Sequence, residues 1–536
     1  MNKVILSAFA DEYSQNFDEQ IKVIKDNKLE YIELRNIESK GLADYSFEEL
    51  EEFAKRLKAN NIKVSAIGSP LGKIDITDDF EEHLKKAEKF YKIAHIFDTK
   101  YIRMFSFYNR TNISKEDFEK EVFRRIEVML DLADKYEVVL CHENEALIYG
   151  EQIENIERLL NHFNGRLKAV FDMGNFILDG VNPVEAYKHL KNYIQYFHLK
   201  DSLSEGAVVP AGKGEAKIRN IISMFLNEFS KDVIATIEPH LETFNGLNAL
   251  VGKTFVNPYK FKDAKEAFLA GVNSSKIEME GAMNMTTFVK DKLLVNAYPN
   301  RVMMGEAAAK DVAECFKKLL KEKESINVIF AAAPSQNDVL LALVNDKTIP
   351  WERINAFHMD EYIGLDKDAP QGFGNFLKEH IFGLVPFKSV NYIDITAKDP
   401  YKEAKRYGEI LKNNPTDVVV LGIGENGHIA FNDPGVADFN DKEVVKPVKL
   451  DDVCRQQQVN DGCFKTINDV PTHAMTLTIP TLFKASHLFC IVPCKTKANA
   501  VKETINGTID EHCPASILRK HNSAVLYLDA DSASLL

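Results

Sequence analysis

The strongest constraint on this chain is an eightfold alternation of short β-branched runs with helix-period segments through its first half. The runs are Val4–Phe9, Tyr31–Arg35, Lys63–Ser69, Tyr101–Phe107, Val138–Asn144, Leu167–Asn175, Ile194–Asp201 and Val233–His240. Between them lie segments whose apolar residues recur at helical spacing, among them Phe47–Asn60, Phe80–Ile96, Lys115–Lys135 and Ile153–His162. Each strand needs partners and each helix needs a face to cover. Eight such units in a row predict an α/β fold closed as a (β/α)₈ barrel rather than an open doubly wound sheet.

A barrel of this kind presents its chemistry at the C-terminal ends of its strands. Four residues occupy such ends in consecutive units: Glu143, Asp172, His198 and Glu238. One polar strand end is ordinary; four that converge on one mouth form a donor set. Three carboxylates and one imidazole suit a divalent ion such as Mn²⁺, Co²⁺, Mg²⁺ or Zn²⁺. Glu33 and Arg35 are two apart, so they share one face of the second strand. Arg103 can pair with a mouth carboxylate, and Gly68, Ser69 and Lys73 form either an anion cradle or a plain turn.

At 536 residues the chain exceeds one ordinary core, so two large domains are expected. The boundaries read from the sequence are 1–278, a linker at 279–290, and 291–536. A formal charge of −13 argues against a nucleic-acid backbone as partner, since that needs clustered cations. Seven cysteines with no CxxC pair predict reduced thiols and a cytoplasmic setting. No run has the length of a membrane span, so no membrane partner is expected.

The second half places small-residue turns after strands. Ile326–Phe330 runs into Ala331-Ala332-Ala333-Pro334-Ser335-Gln336, and Ile354–His358 into Met359-Asp360-Glu361-Tyr362. Asp417–Leu421 runs into a loop from Gly422 to Gly435 that carries Glu425-Asn426-Gly427-His428. Doubly wound, Rossmann-like sheets bind ligands at such strand ends.

On these residues, segment 1–278 resembles the sugar phosphate isomerase/epimerase family of xylose-isomerase-like TIM barrels. The resemblance implies that Glu143, Asp172, His198 and Glu238 hold a divalent metal. It also implies that Glu143 and Glu238 shuttle a proton beside a substrate carbonyl. Many of that family's epimerases carry histidine where this chain has Asn175, which leaves its sugar open.

Residues 291–536 resemble the glucosamine-6-phosphate deaminase family. The carriers are His-Met-Asp-Glu-Tyr and Gly-Glu-Asn-Gly-His-Ile-Ala-Phe-Asn-Asp-Pro-Gly. The resemblance implies Asp360 as general base, His428 for ring opening, Asp433 as its orienting acid and Asn426 beside it. It implies no cofactor in this half. Ser335, Lys497 and Glu361 are expected to meet the substrate. Gly462 falls where the family has a phosphate arginine, and Arg455 is the expected substitute.

The combined expectation is a bifunctional amino-sugar and sugar-phosphate enzyme with small-molecule sugar phosphates as partners and a homo-oligomeric state. Two other readings fit the same residues: a sugar-phosphate sensor without turnover, and an aldose–ketose isomerase that does not deaminate.

Overall fold

The computed structural model describes residues 3–229, 231–241 and 257–536. The chain divides into two compact units, Met1–Met283 and Asn284–Leu536.

The first unit is built on eight parallel strands: β1 (Val4–Ala8), β2 (Tyr31–Leu34), β3 (Lys63–Leu71), β4 (Tyr101–Met104), β5 (Val139–Glu143), β6 (Lys168–Asp172), β7 (Ile194–Leu199) and β8 (Val233–Ile237). The ladder runs β1-β8-β7-β6-β5-β4-β3-β2. No ladder joins β1 to β2 among the described residues, so the barrel is nearly closed. Helices between the strands start at side-chain caps legible in the sequence. Ser46 and Glu49 form a reciprocal capping box before Phe47–Ala59, and Asp79 and Ser114 cap the next two helices. In Phe80–Ile96 the buried residues His83, Ala87, Phe90, Tyr91 and Ala94 fall at steps of three, four and seven, the stripe that covers the sheet.

Two sequence expectations need correction. The sixth strand does not run to Asn175. It stops at Asp172, whose Oδ1 accepts the Asn175 amide at 2.8 Å and so caps the helix Met173–Leu178. The segment expected as a linker, 279–290, is instead ordered. Helix Ala264–Met283 occupies its start and strand β9 (Thr286–Lys290) its end. The small residues that imitate a linker are packing residues. A Cβ on Gly281 would stand 2.5 Å from the Arg219 side chain, and Ala282 is buried.

The second unit continues with β10 (Leu293–Tyr298), β11 (Ile326–Phe330), β12 (Ile354–His358), β13 (Asp360–Tyr362), β14 (Ser389–Asn391), β15 (Val418–Leu421), β16 (Val445–Lys449), β17 (His473–Leu477), β18 (His487–Val492) and β19 (Ala524–Asp529). Its main sheet has the order β9-β10-β19-β18-β15-β11-β12-β14, parallel apart from the β9–β10 pair. From β11 the chain winds outward to β12 and β14, then returns to β15 and winds the other way. The carboxyl ends of β11 and β15 therefore flank the switch point where such folds open a crevice. A small antiparallel sheet, β13-β17-β16, carries the Asp360 segment. No helix among the described residues is long and apolar enough to cross a membrane.

Candidate active sites

In the barrel, Asp172 and His198 face each other in register across β6 and β7, while Glu143 ends β5 and Glu238 follows β8. One donor atom from each of the four lies within 4.8 Å of all the others, and all four side chains are buried. An ion with bonds of ~2.0–2.2 Å holds donors no more than ~4.4 Å apart, and His198 Nδ1 stands 2.7 Å from Glu143 Oε1 and 3.2 Å from Glu238 Oε2. Glu238 Oε2 is buried and meets no hydrogen bond, although His198 Nδ1 and Lys200 Nζ both stand 3.2 Å away. Three carboxylates and one imidazole gathered around one point are a donor set that fits a divalent metal.

The charges around this set are dense. His198 Nδ1 lies 2.7 Å from Glu143 Oε1, and its Nε2 lies 3.2 Å from Glu33 Oε2. Burial alone favours the neutral ring, but Glu143, Glu33 and Glu238 together hold His198 well above the ordinary imidazole range. Against its own burial, Glu143 is held down at about 2 by His198 and Arg103, whose Nη1 donates to it at 3.1 Å. Burial lifts Asp172 to about 6 despite Lys200 Nζ at 3.0 Å. Arg35 donates to Glu238 Oε1 at 3.1 Å and to Asp11. A cavity of about 1020 Å³ opens over this mouth, lined by Glu12, Arg35, Arg103, Lys200, Glu238 and His240 among others.

Asn175 donates to the Asn144 carbonyl and accepts from Lys200 at 3.0 Å, so it belongs to the same network. Gly68 and Ser69 are not an anion cradle. The Gly68 carbonyl accepts from the Arg103 guanidinium, the Ser69 hydroxyl donates to the Arg103 carbonyl, the Lys73 amide closes a turn on the Pro70 carbonyl, and Lys73 Nζ pairs with Glu145 at 2.8 Å. Sequence reasoning missed Lys200, Glu12 and His240. Lys200 and His240 each stand two residues beyond a predicted ligand, just past the ends of β7 and β8.

In the second unit, Asp360 is buried at the start of β13, and its carboxylate has no hydrogen-bond partner among the described residues. Burial, then the neighbouring Glu361, raises its pKa well above the ordinary range. Its backbone is held by His358. The Ile393 amide donates to Nε2 at 2.9 Å, so the proton sits on Nδ1 and is donated to the Asp360 carbonyl at 3.0 Å.

His428 lies in the loop after β15. Its Nδ1 is 2.7 Å from Asn426 Oδ1 and 3.0 Å from Asp433 Oδ1, and Asn426 Nδ2 donates to Asp433 Oδ1 at 3.1 Å. These acceptors place the ring proton on Nδ1 and leave Nε2 as the basic nitrogen. Against its burial, His428 keeps the Asp433 carboxyl below the usual range. Only glycine fits at 424, where a Cβ would come within 2.1 Å of the His428 ring.

Ser335 and Gln336 meet this loop across the switch point: a Cβ on Gly422 would lie 3.0 Å from Gln336 Nε2 and 3.5 Å from Ser335 Oγ. Lys497 is 4% exposed and its ammonium has no hydrogen-bond or ion-pair partner among the described residues; burial lowers its pKa. A buried, unpaired ammonium is costly unless an anion joins it. Two expected substrate contacts are occupied elsewhere. Both Glu361 oxygens accept backbone amides, from Tyr362, Phe373 and Gly374 at 2.8–3.0 Å. Arg455 donates to the Ile467 and Val470 carbonyls and pairs with Asp452, so it ties a turn to its helix. Gly462 adopts φ +76 and offers no side chain.

Comparison with known proteins follows this division. Residues 299–527 match the family model for glucosamine-6-phosphate isomerases/6-phosphogluconolactonase, and residues 21–252 match that for the xylose isomerase-like TIM barrel. A glucosamine-6-phosphate deaminase of Listeria monocytogenes serotype 4a (strain HCC23) is 34% identical over 230 residues, which are 43% of this chain and 96% of the relative. A solved monomeric glucosamine-6-phosphate deaminase is 27% identical with a TM-score of 0.41, over 46% of this chain and all of that one. A solved IOLI protein with a binding zinc atom is 18% identical with a TM-score of 0.43, over 52% of this chain and 98% of that one. The chain thus joins a xylose isomerase-like TIM barrel to a second half that belongs to the glucosamine-6-phosphate deaminase family, an enzyme family of amino-sugar and sugar-phosphate metabolism.

Proposed function

We propose that the chain is a bifunctional enzyme of amino-sugar catabolism. In this reading the second unit converts glucosamine 6-phosphate to fructose 6-phosphate and ammonia. The barrel acts as a divalent-metal-dependent isomerase or epimerase of a sugar or sugar phosphate. The observation that carries the reading is the pairing of a buried, unpartnered carboxylate at Asp360 with a His428 ring fixed by Asn426 and Asp433.

His428 Nε2 takes the proton from the sugar O1 hydroxyl and returns it to the ring oxygen, which opens the ring. Asp433 and Asn426 hold the Nδ1 proton so that Nε2 stays basic. Asp360 then removes the proton from C2 and delivers it to C1, so one C–H bond breaks and another forms. O1 gains a proton as the C2 nitrogen gives one up, so the aldehyde becomes an alcohol and the amine an imine; water then adds to give a carbinolamine, and ammonia leaves as the ketone forms. A carboxylate whose pKa is raised by burial is a stronger base, which such a transfer needs. Lys497 supplies the positive charge for the substrate phosphate, with Ser335 as a hydroxyl donor nearby.

In the barrel, Glu143, Asp172, His198 and Glu238 would hold the metal. When bound it supplies Lewis-acid polarisation of a substrate carbonyl. Glu143 and Glu238 hold or move the proton at the adjacent carbon. Arg35, Arg103 and Lys200 orient those carboxylates and balance their charge.

The test is ammonia release from glucosamine 6-phosphate by wild type and Asp360→Asn, each with and without a chelator. Release that persists with chelator and vanishes in the variant supports the reading. Equal release by the variant, or none by wild type, overturns it.

A further inference from the structure

We propose that His428, Asp433 and Cys454 form a binding site for a soft divalent cation such as Zn²⁺, and that its occupation shuts the site of the second unit. The shutting half of this proposal rests on the deaminase reading; the binding half does not.

Cys454 was not singled out in the sequence, and it plays no part in the reaction described above. It lies in the first turn of the helix Asp452–Asn460, where Asp451 caps the helix and accepts the Cys454 amide at 2.6 Å. That turn brings the thiol to the His428–Asp433 pair. One donor atom from each of the three residues lies within 4.8 Å of the other two, and all three residues are buried. Imidazole, carboxylate and thiolate together make a donor set that zinc favours, three protein ligands with a fourth position left for water or substrate.

A second observation points to a ligand. Both hydrogen bonds that reach the Asp433 carboxylate from His428 and Asn426 end on Oδ1. Oδ2 is fully buried and accepts no hydrogen bond from nitrogen or oxygen, and the Cys454 thiol is the group that faces this carboxylate. A buried carboxylate oxygen left without an N–H or O–H donor is expensive, and a cation is the ligand that matches it.

The chemistry balances without a redox partner. Zinc bonds form to sulfur and to His428 Nδ1; the S–H bond breaks and its proton leaves to solvent, while the Nδ1 proton is lost and Nε2 takes one up, so the ring stays neutral. The ion engages the His428 ring and the carboxylate that orients it, so ring opening stops while the ion stays.

The experiment uses the full chain with Co²⁺ as spectroscopic probe. Wild type is expected to develop a thiolate-to-cobalt charge-transfer band that Zn²⁺ abolishes and that Cys454→Ser lacks. The barrel donors contain no sulfur, so they contribute nothing to this band. In competition with a chromophoric chelator, Cys454→Ser should bind one fewer Zn²⁺ or bind it at least ~10–100-fold more weakly. Zinc should suppress ammonia release by wild type more than by the variant. Absence of the band in wild type, which needs no variant to fold, overturns the proposal, and so does an identical band in Cys454→Ser. If the band appears and no ammonia is released under any condition, the cation site stands and the deaminase reading falls.

Discussion

Lys200 Nζ stands 3.0 Å from Asp172 Oδ2, both groups buried, so an ammonium already lies inside the carboxylate set of the barrel. It also lies 3.2 Å from Glu238 Oε2. Lys200→Met would take the ammonium from buried Asp172, while Glu238 keeps Arg35. Breaking such a pairing costs about 3–5 kcal/mol. The expected result is a large fall in the thermal midpoint of the first unit in chelator. A divalent ion should recover part of that fall, and more than it gains wild type, because the ion restores the missing charge. Differential scanning calorimetry with and without Mn²⁺ or Zn²⁺ reads this directly.

Asp360→Asn should lower ammonia release by ~10²–10⁴-fold, the usual contribution of a positioned base. The same variant should be more stable than wild type at neutral pH. The folded pKa of Asp360 lies above its unfolded value, so the folded state binds the proton more tightly. Stability from this group is present below the unfolded pKa and declines as pH rises through the range between the two values. Asparagine has no proton to lose, so urea unfolding of the variant should show that decline reduced.

Asp433→Asn keeps a side chain of the same size at the His428 ring but removes the charge that fixes the Nδ1 proton. A fall in kcat of ~10–100-fold with little change in KM is expected, since the ring is positioned rather than replaced. Steady-state kinetics would separate this from a binding defect, which moves KM instead.

Lys497→Met removes an ammonium that has no protein partner among the described residues. Without ligand the variant should be as stable as wild type or more so, because the uncompensated buried charge is gone. Its KM for a phosphorylated sugar should rise by ~10–100-fold, the worth of a charge-assisted hydrogen bond of about 1.5–3 kcal/mol. Thermal shifts induced by inorganic phosphate should shrink in parallel.

Arg455→Met behaves in the opposite way. Its guanidinium holds two carbonyls of the Ile467–Val470 turn. A loss of about 1–3 kcal/mol in stability with an unchanged KM is expected. A raised KM with intact stability would instead put Arg455 in the substrate site.

Much of this was legible in the sequence because it depends on local pattern. The β-branched runs at 326–330 and 354–358 coincide with strands, since alternation and bounding turns are local signals. The four barrel donors converge because strand ends in a parallel barrel share one mouth, whatever the exact loops. The sequence also determined the deaminase-like half through an uninterrupted block around His428. Partners that are distant in the chain were left to the tertiary structure. Glu361 reads as a substrate acid, yet the helix start at Phe373–Gly374 packs against it and takes both oxygens. Arg455 reads as a spare cation until the turn twelve and fifteen residues later claims it. Cys454 gives no local signal, because its neighbours Asp433 and His428 reach it only when the chain folds back. Hydrogen-bond capacity is finite, and which groups spend it on the fold rather than on a ligand is decided by packing, which local pattern does not encode.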